Sequence, residues 1–456
     1  MHVNHHRDAL ALIALVGGSI VLGLSCTTAP KDVQTDPAVR TQKFPKQEFD
    51  DKIDRSANEL MAEGRKIFRY DSFGNEAFWG DQLQLHKAIL RQEKGGNGKG
   101  LSARQALQLG LKVDSDKIPQ LVGEIVKEGS VSLDNPDTTL ELLRADAVVG
   151  VKGVFDKKNN MVSMGITCAL CHSTVDDSYF KGIGRRLDGW PNRDLDVGKI
   201  VALAPNLQPF TSLLEVDETT VKTVLGAWGP GRYDAELDKD GKGFRPDGKT
   251  AATLIPAAFG LAGQNLHTYA GWGSVPYWNA YVANTQMHGK GTFVDARLSD
   301  KQKYPKVANS GFDNKRDTPD LITAKLPALH FYQLAIPAPA PPKDSYNPDM
   351  AKRGEAVFNG AAKCATCHVP PLFSEPGWPM HTAAEIGIDD FQSKRSPDNR
   401  YRTTPLRGLF ARSKGGFYHD GRFPDLAAVV QNYERVLTLS LSAQQRADLI
   451  EYLKSL

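Results

Sequence analysis

The chain has 456 residues, of which 41% are hydrophobic and 24% are charged. A chain of this length and composition can bury a large core and form two or three domains. Its formal net charge of +3 is small, so composition gives no reason to expect nucleic acid or an anionic membrane surface as a partner.

The first predicted element is an export signal at the N-terminus. Arg7 lies in a polar leader that runs into ALIALVGGSIVLGLS, an uncharged apolar run of about the length of a signal-peptide core. The run is shorter than the apolar segment that a helix needs to cross a bilayer. We therefore predict a signal peptide over residues 1–25, followed by a polar, Pro-containing tether over residues 26–50.

The cysteine at the end of this run, Cys26, predicts a lipid anchor. Ser25-Cys26 resembles the end of a bacterial lipobox, in which the cysteine is lipid-modified and becomes the new N-terminus, although Gly23 stands where lipoproteins usually have Leu, Val or Ile. Ordinary signal cleavage nearby and an uncleaved anchor are the alternatives. Because all three export the chain, we expect the protein in the periplasm or, as a lipoprotein, at a periplasmic or outer-membrane surface.

Residues 51–150 form a predicted helical N-terminal region. Helical patterns run from Glu48 to Tyr70 and from Trp79 to Gln92, and a third runs from Ser102 to Leu109 and ends at Gly110. The second pattern places four side chains on one face of its helix: Leu83, His86, Ile89 and Leu90.

Two units of one cysteine pattern follow. The segment VVGVKGVFDKKNNMVSMGIT predicts a β-hairpin around Asn159-Asn160 and leads to CALCH at residues 168–172, and CATCH recurs at residues 364–368. Two thiols separated by two residues can form thioethers with the vinyl groups of one haem, and the adjacent histidine is then directed at the iron. A redox C-x-x-C pair or half a zinc site would need neither the adjacent histidine nor a second copy of the motif, so haem attachment explains the pattern better. Zinc binding and disulfide formation by the same residues are the alternatives.

The pattern therefore predicts two covalently bound c-type haems. The attachment and iron-binding residues are Cys168, Cys171 and His172 for the first haem, and Cys364, Cys367 and His368 for the second. Export fits this chemistry, because bacteria attach such haems outside the cytoplasm.

Residues 151–334 form the predicted first haem domain, in which residues 253–293 are dense in aromatics and glycines. This stretch predicts either a loop-rich packing layer or a wall of the haem pocket, where Trp272 or Tyr269 could relay electrons. Three histidines are candidates for the iron ligand on the face of the first haem opposite His172: His86, His267 and His288. Trp272 and His267 are the candidate catalytic residues.

Two charged segments of this domain each have two interpretations. Arg185 and Arg186 are candidates to pair with haem propionates, because guanidinium matches carboxylate geometry, and solvent-facing charges are the alternative. The segment Asp238-Lys239-Asp240-Gly241-Lys242-Gly243 resembles part of a calcium loop. Its interleaved lysines and missing terminal acidic ligand favour a solvated turn over a calcium ion.

A Pro-rich linker over residues 335–348 precedes a predicted C-terminal cytochrome c domain over residues 349–456. Asn347-Pro348-Asp349 predicts the start of a helix that delivers the chain to the second C-x-x-C-H unit. Ser442 and Gln445 have capping-box spacing at the start of the last helix. Two such helices, packed across each other, are the minimal frame of a c-type cytochrome domain.

These motifs together resemble a known family. The two C-x-x-C-H units, the segment AKRGEAVFNGAAKCATCH and the run RTTPLRGLFARSKGGFYHDGRFPDLAAVVQNY resemble the bacterial di-haem cytochrome c peroxidase superfamily. That superfamily includes the di-haem enzyme that matures methylamine dehydrogenase and, more distantly, the haem rubber oxygenases. The resemblance is specific over about residues 345–456 and the first C-x-x-C-H unit, whereas residues 27–150 carry no motif that aligns.

The resemblance implies an axial ligand for the second haem. In this superfamily the segment that corresponds to Thr404–Gly421 closes over that haem, and the ligand lies on the helix just beyond it. The matching position holds Tyr433, as in the methylamine dehydrogenase-maturing enzyme, whereas typical peroxidases have methionine. A phenolate would stabilise ferric and higher-valent iron. The alternative is that Tyr433 is an ordinary interior tyrosine and that His419, His381 or Met380 is the ligand.

The expected fold is mainly α with extensive loops, with two c-type cytochrome-like haem domains and a long N-terminal extension. The expected function is a peroxidase-like oxidoreductase that takes hydrogen peroxide or another small oxidant at the first haem. Electrons would come through the second haem from a small redox protein or a quinol-linked donor. A di-haem electron carrier is the first alternative and a dioxygen-using haem oxygenase is the second. The resemblance also allows a homodimer.

Overall fold

The structure is a computed structural model that describes residues 48–123 and 131–456. The predicted signal peptide, Cys26 and most of the tether lie outside the described residues. Residues Arg55–Leu456 form one compact unit, and the described residues that precede them, 48–54, belong to a different unit.

Helices are the main regular structure of the described residues. In chain order they are α1 (Glu48–Tyr70), α2 (His86–Ile89), α3 (Ala103–Gln108), α4 (Pro119–Gly123), α5 (Pro136–Arg144), α6 (Ala169–His172), α7 (Val197–Ala202), α8 (Gln208–Leu214), α9 (Glu218–Trp228), α10 (Leu237–Asp240), α11 (Val275–Asn284), α12 (Val307–Ser310), α13 (Leu326–Ala335), α14 (Pro348–Asn359), α15 (Phe391–Lys394), α16 (Leu426–Val436) and α17 (Ala443–Ser455). In the part of the chain that the structure describes, no helix has both the length and the apolar character needed to cross a bilayer.

The strands are short and form two-stranded sheets. They are β1 (Val113–Asp114), β2 (Val151–Phe155), β3 (Met161–Ile166), β4 (Ser173–Val175), β5 (Ile183–Gly184), β6 (Arg186–Asp188), β7 (Arg232–Tyr233), β8 (Thr253–Leu254), β9 (Thr292–Val294) and β10 (Asn314–Arg316). β1 pairs with β5 in parallel, while β2 with β3, β4 with β6, β7 with β8 and β9 with β10 are antiparallel. The mainly α fold with extensive loops is confirmed, whereas its division into two haem domains stays a prediction.

The N-terminal helices differ from expectation at one place. α1 has the predicted bounds, and α3 begins after Ser102, where the predicted helix starts. Ser102 and Gln105 form a capping box there. The prediction of one helix from Trp79 to Gln92 is wrong, because a π-helical turn at Ala77–Gln82 is separated from α2. Gln84 between them has a φ of 57°, in the left-handed region, which a continuous helix cannot include.

The predicted hairpin is formed by β2 and β3. Asn159 takes a φ of 66° in the connecting turn, and the Asp156 carboxylate accepts hydrogen bonds from the backbone N–H groups of Lys158 and Asn160. These bonds fix the turn locally. β3 then delivers the chain to the first C-x-x-C-H unit.

α14 and α17 form the predicted C-terminal helix pair. The Asn347 side chain caps α14, and Ser442 and Gln445 form the capping box of α17. The two helices approach closely at Gly354, where an added Cβ would lie 2.0 Å from the Asp448 carbonyl oxygen. A core of Phe358, Leu449 and Leu453 fills the space beside this crossing.

Candidate haem-binding sites

The first C-x-x-C-H unit holds its histidine in one orientation. Cys168 precedes α6, and this single helical turn places His172 with Nδ1 3.1 Å from the Pro256 carbonyl oxygen. A carbonyl can only accept, so Nδ1 carries the proton and Nε2 is left to bind a metal. Burial lowers the pKa of His172 to about 4, which keeps the ring in the neutral form that an iron ligand requires.

The second unit repeats this arrangement on a different local structure. A 3₁₀ turn at Cys364–Thr366 leads to His368, whose Nδ1 lies 3.0 Å from the Phe373 carbonyl oxygen. Burial lowers the pKa of His368 to about 4 as well. Both histidines therefore offer Nε2 and have Nδ1 fixed by the backbone, as metal-ligating histidines commonly do.

The cysteines of both units are free thiols rather than disulfides. Burial raises the pKa of Cys168, Cys171 and Cys364 to about 12. A redox-active C-x-x-C pair needs the opposite, a thiol with a depressed pKa. The environment thus fits buried attachment points better than reactive thiolates.

A cavity of about 270 Å³ opens on the first unit and is lined by Cys168, Cys171 and His172. Most of its wall is apolar, and its charged or amide side chains and its unassigned histidine are few: Glu236, His267, Asn279, Gln286, Gln333, Gln392 and Arg402. Such a cavity, with two thiols and a neutral histidine on its wall, fits a covalently attached haem, whose macrocycle is apolar. The residues present are therefore compatible with the predicted cofactor.

Some of the residues predicted for the first haem site line this cavity and others do not. His267, Trp272 and Tyr269 all line it. His267 has no partner for Nδ1, and burial, with a smaller contribution from Arg402, lowers its pKa to about 3. The other two histidines lie elsewhere, because His86 is buried within α2 and the His288 ring stacks on Phe78 with centroids 3.5 Å apart.

Two lining residues were missed by sequence reasoning. Glu236 is a buried carboxylate at the N-terminus of α10, where it pairs with Lys239. Met287 follows α11 and presents a thioether to the same cavity, with its carbonyl accepting a hydrogen bond from Trp79 Nε1 at 3.0 Å. No spacing signal marks either residue, since both reach the cavity through the folding of separate segments.

The segment Asp238–Gly243 is not the solvated turn favoured by its sequence. Asp240 is buried and paired with Arg395, 2.8 Å from its Nε. Lys239 is fully buried and its Nζ lies 4.4 Å from the centroid of the Trp272 ring. The protein's own cations thus neutralise these carboxylates, and calcium stays a prediction that this arrangement does not require.

Tyr433 lies beside the second unit. It is half-buried in α16, with its ring centroid 6.5 Å from that of Tyr418. Burial raises its pKa well above the usual value, and the neighbouring Tyr418 and the thiols of Cys367 and Cys364 add to this. The tyrosine is thus within electrostatic range of both attachment cysteines. Its role as an iron ligand stays a prediction.

The alternative ligands have different surroundings. His381 Nε2 lies 2.6 Å from the Glu375 carboxylate, and with Cys367 these residues bring ligand atoms within 4.8 Å of one another. The Cys367 and Glu375 side chains raise the pKa of His381 to about 9, which disfavours the neutral ring that iron needs. His419 is buried and stacks on Tyr401, with centroids 5.3 Å apart.

The two arginines singled out from the sequence do not behave alike. Arg185 is exposed. Arg186 is buried, and its Nε lies 3.0 Å from Asp114 Oδ2. A carboxylate of the protein therefore already neutralises Arg186.

Comparison with known proteins finds two similar curated sequences. No profile of a known protein family matches the chain. The methylamine utilization protein MauG of Methylorubrum extorquens is 32% identical over 122 residues, covering 23% of this chain and 34% of MauG. The cytochrome-c peroxidase IdrP1 of a Pseudomonas species is 26% identical over 150 residues, covering 23% of this chain and 39% of that protein. The chain thus spans little more than a third of the length of these curated relatives.

The first of these relatives is named for methylamine utilization and the second for cytochrome-c peroxidase activity. The resemblance to the bacterial di-haem cytochrome c peroxidase superfamily, drawn from the motifs, is confirmed.

Two solved structures are also similar. A hydrazine synthase of Kuenenia stuttgartiensis has a TM-score of 0.26 at 20% identity, covering 47% of this chain and 76% of that chain. A MauG-like protein associated with microbial copper homeostasis has a TM-score of 0.30 at 16% identity, covering 49% of this chain and 80% of that chain. At these TM-scores neither structure bears on function.

Proposed function

We propose that this protein is an exported di-haem c-type cytochrome that reduces hydrogen peroxide at the N-terminal haem and receives electrons through the C-terminal haem. The observation that carries the proposal is the apolar cavity at the first C-x-x-C-H unit, which has a buried carboxylate, Glu236, on its wall. The second unit has a half-buried tyrosine, Tyr433, beside its attachment cysteines instead. The two units are thus built for different tasks.

The residues of the first cavity have assignable tasks. Cys168 and Cys171 would attach the haem, and His172 would hold its iron, which supplies the redox centre at which a small oxidant binds. Reduction of one peroxide consumes two electrons and two protons, breaks the O–O bond and yields two waters. Glu236 places a carboxylate on the wall of the cavity, where it would accept a hydrogen bond from bound peroxide, and Lys239 beside it balances the negative charge.

Tyr269 is the better placed of the two predicted electron relays. It lines the cavity, and its ring centroid lies 6.3 Å from that of His419, which stacks on Tyr401. Trp272 also lines the cavity but packs in a separate aromatic cluster, with its ring 4.8 Å from that of Trp278. Tyr269 therefore faces the C-terminal part of the chain, from which electrons would arrive.

The remaining parts of the proposal concern location and partners. The sequence of residues 1–26 supports export and a lipid anchor at Cys26 in the periplasm. A small redox protein or a quinol-linked donor would supply the electrons, and a homodimer and a bound calcium ion follow from the superfamily resemblance alone.

One observation favours the first alternative, an electron carrier without peroxidase activity. His267 and Met287 both border the first cavity, and either could fill the iron position opposite His172. A filled position would leave electron transfer as the only task. The second alternative, a dioxygen-using oxygenase, would use the same cavity as the proposed peroxidase but would bind dioxygen there instead of hydrogen peroxide.

The test is low-temperature EPR of the purified, haem-loaded ferric protein before and after one equivalent of hydrogen peroxide, with haem counted by the pyridine haemochrome assay. The proposal expects two haems per chain and a high-spin signal that peroxide consumes. Two low-spin haems that ignore peroxide, in both the oxidised and the half-reduced protein, would establish the electron carrier instead. If dioxygen oxidises the ferrous haem and the ferric protein does not respond to peroxide, the result would favour the oxygenase.

A further inference from the structure

Three arginines, Arg193, Arg402 and Arg412, lack a carboxylate partner. Arg193 is buried, and Arg402 and Arg412 are partly buried. None of the ion pairs formed within residues 48–123 and 131–456 involves any of them, unlike Arg186 and Arg395, whose charges are matched by aspartates. Buried charge without a counter-charge is costly, so a cluster of three calls for an anion.

Their hydrogen bonds go to neutral groups only. Arg402 donates to the Thr268 carbonyl oxygen and, at 3.0 Å, to the Gln264 side chain. Arg412 donates to the carbonyl oxygens of Pro405 and Arg407.

Arg193 completes the group. It donates to the Lys414 carbonyl oxygen at 3.3 Å and lies 3.5 Å from the Tyr269 hydroxyl. The Nε groups of Arg193 and Arg412 are buried and have no partner. The cluster therefore has N–H donors without hydrogen-bond acceptors as well as positive charges without counter-charges.

The cluster borders both predicted haem sites. Arg402 is part of the wall of the first cavity. Arg412 ends the 3₁₀ turn Leu409–Arg412, and Leu409 packs in the same core cluster as the attachment cysteine Cys364. Arg193 and Arg402 are each within electrostatic range of Arg412. Tyr269, which lines the first cavity, lies among all three arginines.

We propose that Arg193, Arg402 and Arg412 form a carboxylate-binding site that receives the propionate groups of the bound haems. Guanidinium groups match carboxylates in geometry and remain charged when buried. The site would serve both haems, with Arg402 on the side of the first and Arg412 on the side of the second. This inference rests on the proposed function only in requiring that haem is bound.

The site should raise the reduction potentials of the haems. Fixed positive charge near the iron favours the ferrous state, because reduction removes one positive charge from the centre. Replacing an arginine of the site by a neutral residue of similar shape should therefore lower the potential of the haem that it faces.

The experiment is a spectroelectrochemical titration of the haem-loaded protein carrying Arg402→Gln or Arg412→Gln. Each change should shift the ratio of reduced to oxidised haem at a fixed potential at least tenfold, which is about 59 mV for a one-electron couple. Arg402→Gln should act mainly on the first haem and Arg412→Gln mainly on the second. Arg402→Lys should restore most of the potential, because it returns the charge. Arg185→Gln is the matched control, since it removes the charge of an exposed arginine.

Two outcomes would overturn the inference. One is a shift in both variants no larger than that of Arg185→Gln. The other is a wild-type potential that follows the sulfate concentration, since a free anion rather than the propionates would then occupy the site. Protein that contains no haem would defeat the proposed function instead, whereas two haems with unresponsive potentials would defeat only this inference.

Discussion

Arg395 joins the C-terminal part of the chain to the segment that carries the cavity carboxylate. Its Nε lies 2.8 Å from Asp240 Oδ2 and its Nη1 lies 2.9 Å from Asp234 Oδ1, and its side chain is 1% exposed. Removing one partner of a buried ion pair leaves an uncompensated charge, which typically costs about 3–5 kcal/mol. We expect Arg395→Met to lower the free energy of unfolding by about this amount.

The assay is equilibrium denaturant unfolding of the haem-loaded protein, followed by far-UV circular dichroism. Arg104→Met is the matched control, because Arg104 makes a similar bidentate contact with Asp134, at 2.7 and 3.1 Å, on the exposed surface. Solvent screens such a pair, so the control should unfold almost like the wild type. Equal behaviour of the two variants would refute the assignment of Arg395 as a buried structural cation.

The pH dependence gives a second check on the same variant. Burial raises the pKa of Asp234 from 3.8 to about 6, although Arg395 lowers it. A carboxyl whose pKa is raised in the folded state destabilises that state as pH rises through the window between the two values. Without Arg395 this pKa rises further, so the loss of stability should be smaller at about pH 5 than at about pH 7. The same loss at both pH values would contradict this account.

Three further predictions follow from single positions. Tyr433→Phe should change the spectrum and the potential of the second haem, and unchanged values would exclude Tyr433 as its ligand. Gly354→Ala should destabilise the protein by about 1–3 kcal/mol in thermal unfolding through overpacking, whereas Gly226→Ala, where an added Cβ meets open space, should not; equal effects would refute the close helix crossing. If the first haem is low-spin, Met287→Ala or His267→Ala should convert it to high-spin in the EPR spectrum, and a spectrum unaltered by both changes would exclude both as ligands.

Local sequence signals determined much of this protein. The capping residues Asn347 and Ser442 predicted the starts of the C-terminal helix pair, and Asn159 marked the turn of the hairpin, because caps and turns depend on a few neighbouring residues. The two C-x-x-C-H units likewise carry their chemistry within five consecutive residues each. The superfamily resemblance followed from these motifs and was confirmed by relatives.

Only the tertiary structure decided which distant residues meet. Trp79 to Gln92 has a helical pattern, yet packing imposes a left-handed residue at Gln84 that interrupts it. Glu236 and Arg402 are far apart in sequence and border one cavity, and Arg395 turns an apparent surface turn into a buried ionic network. Charge balance in a protein interior depends on such long-range pairs, and a linear pattern of residues does not contain them.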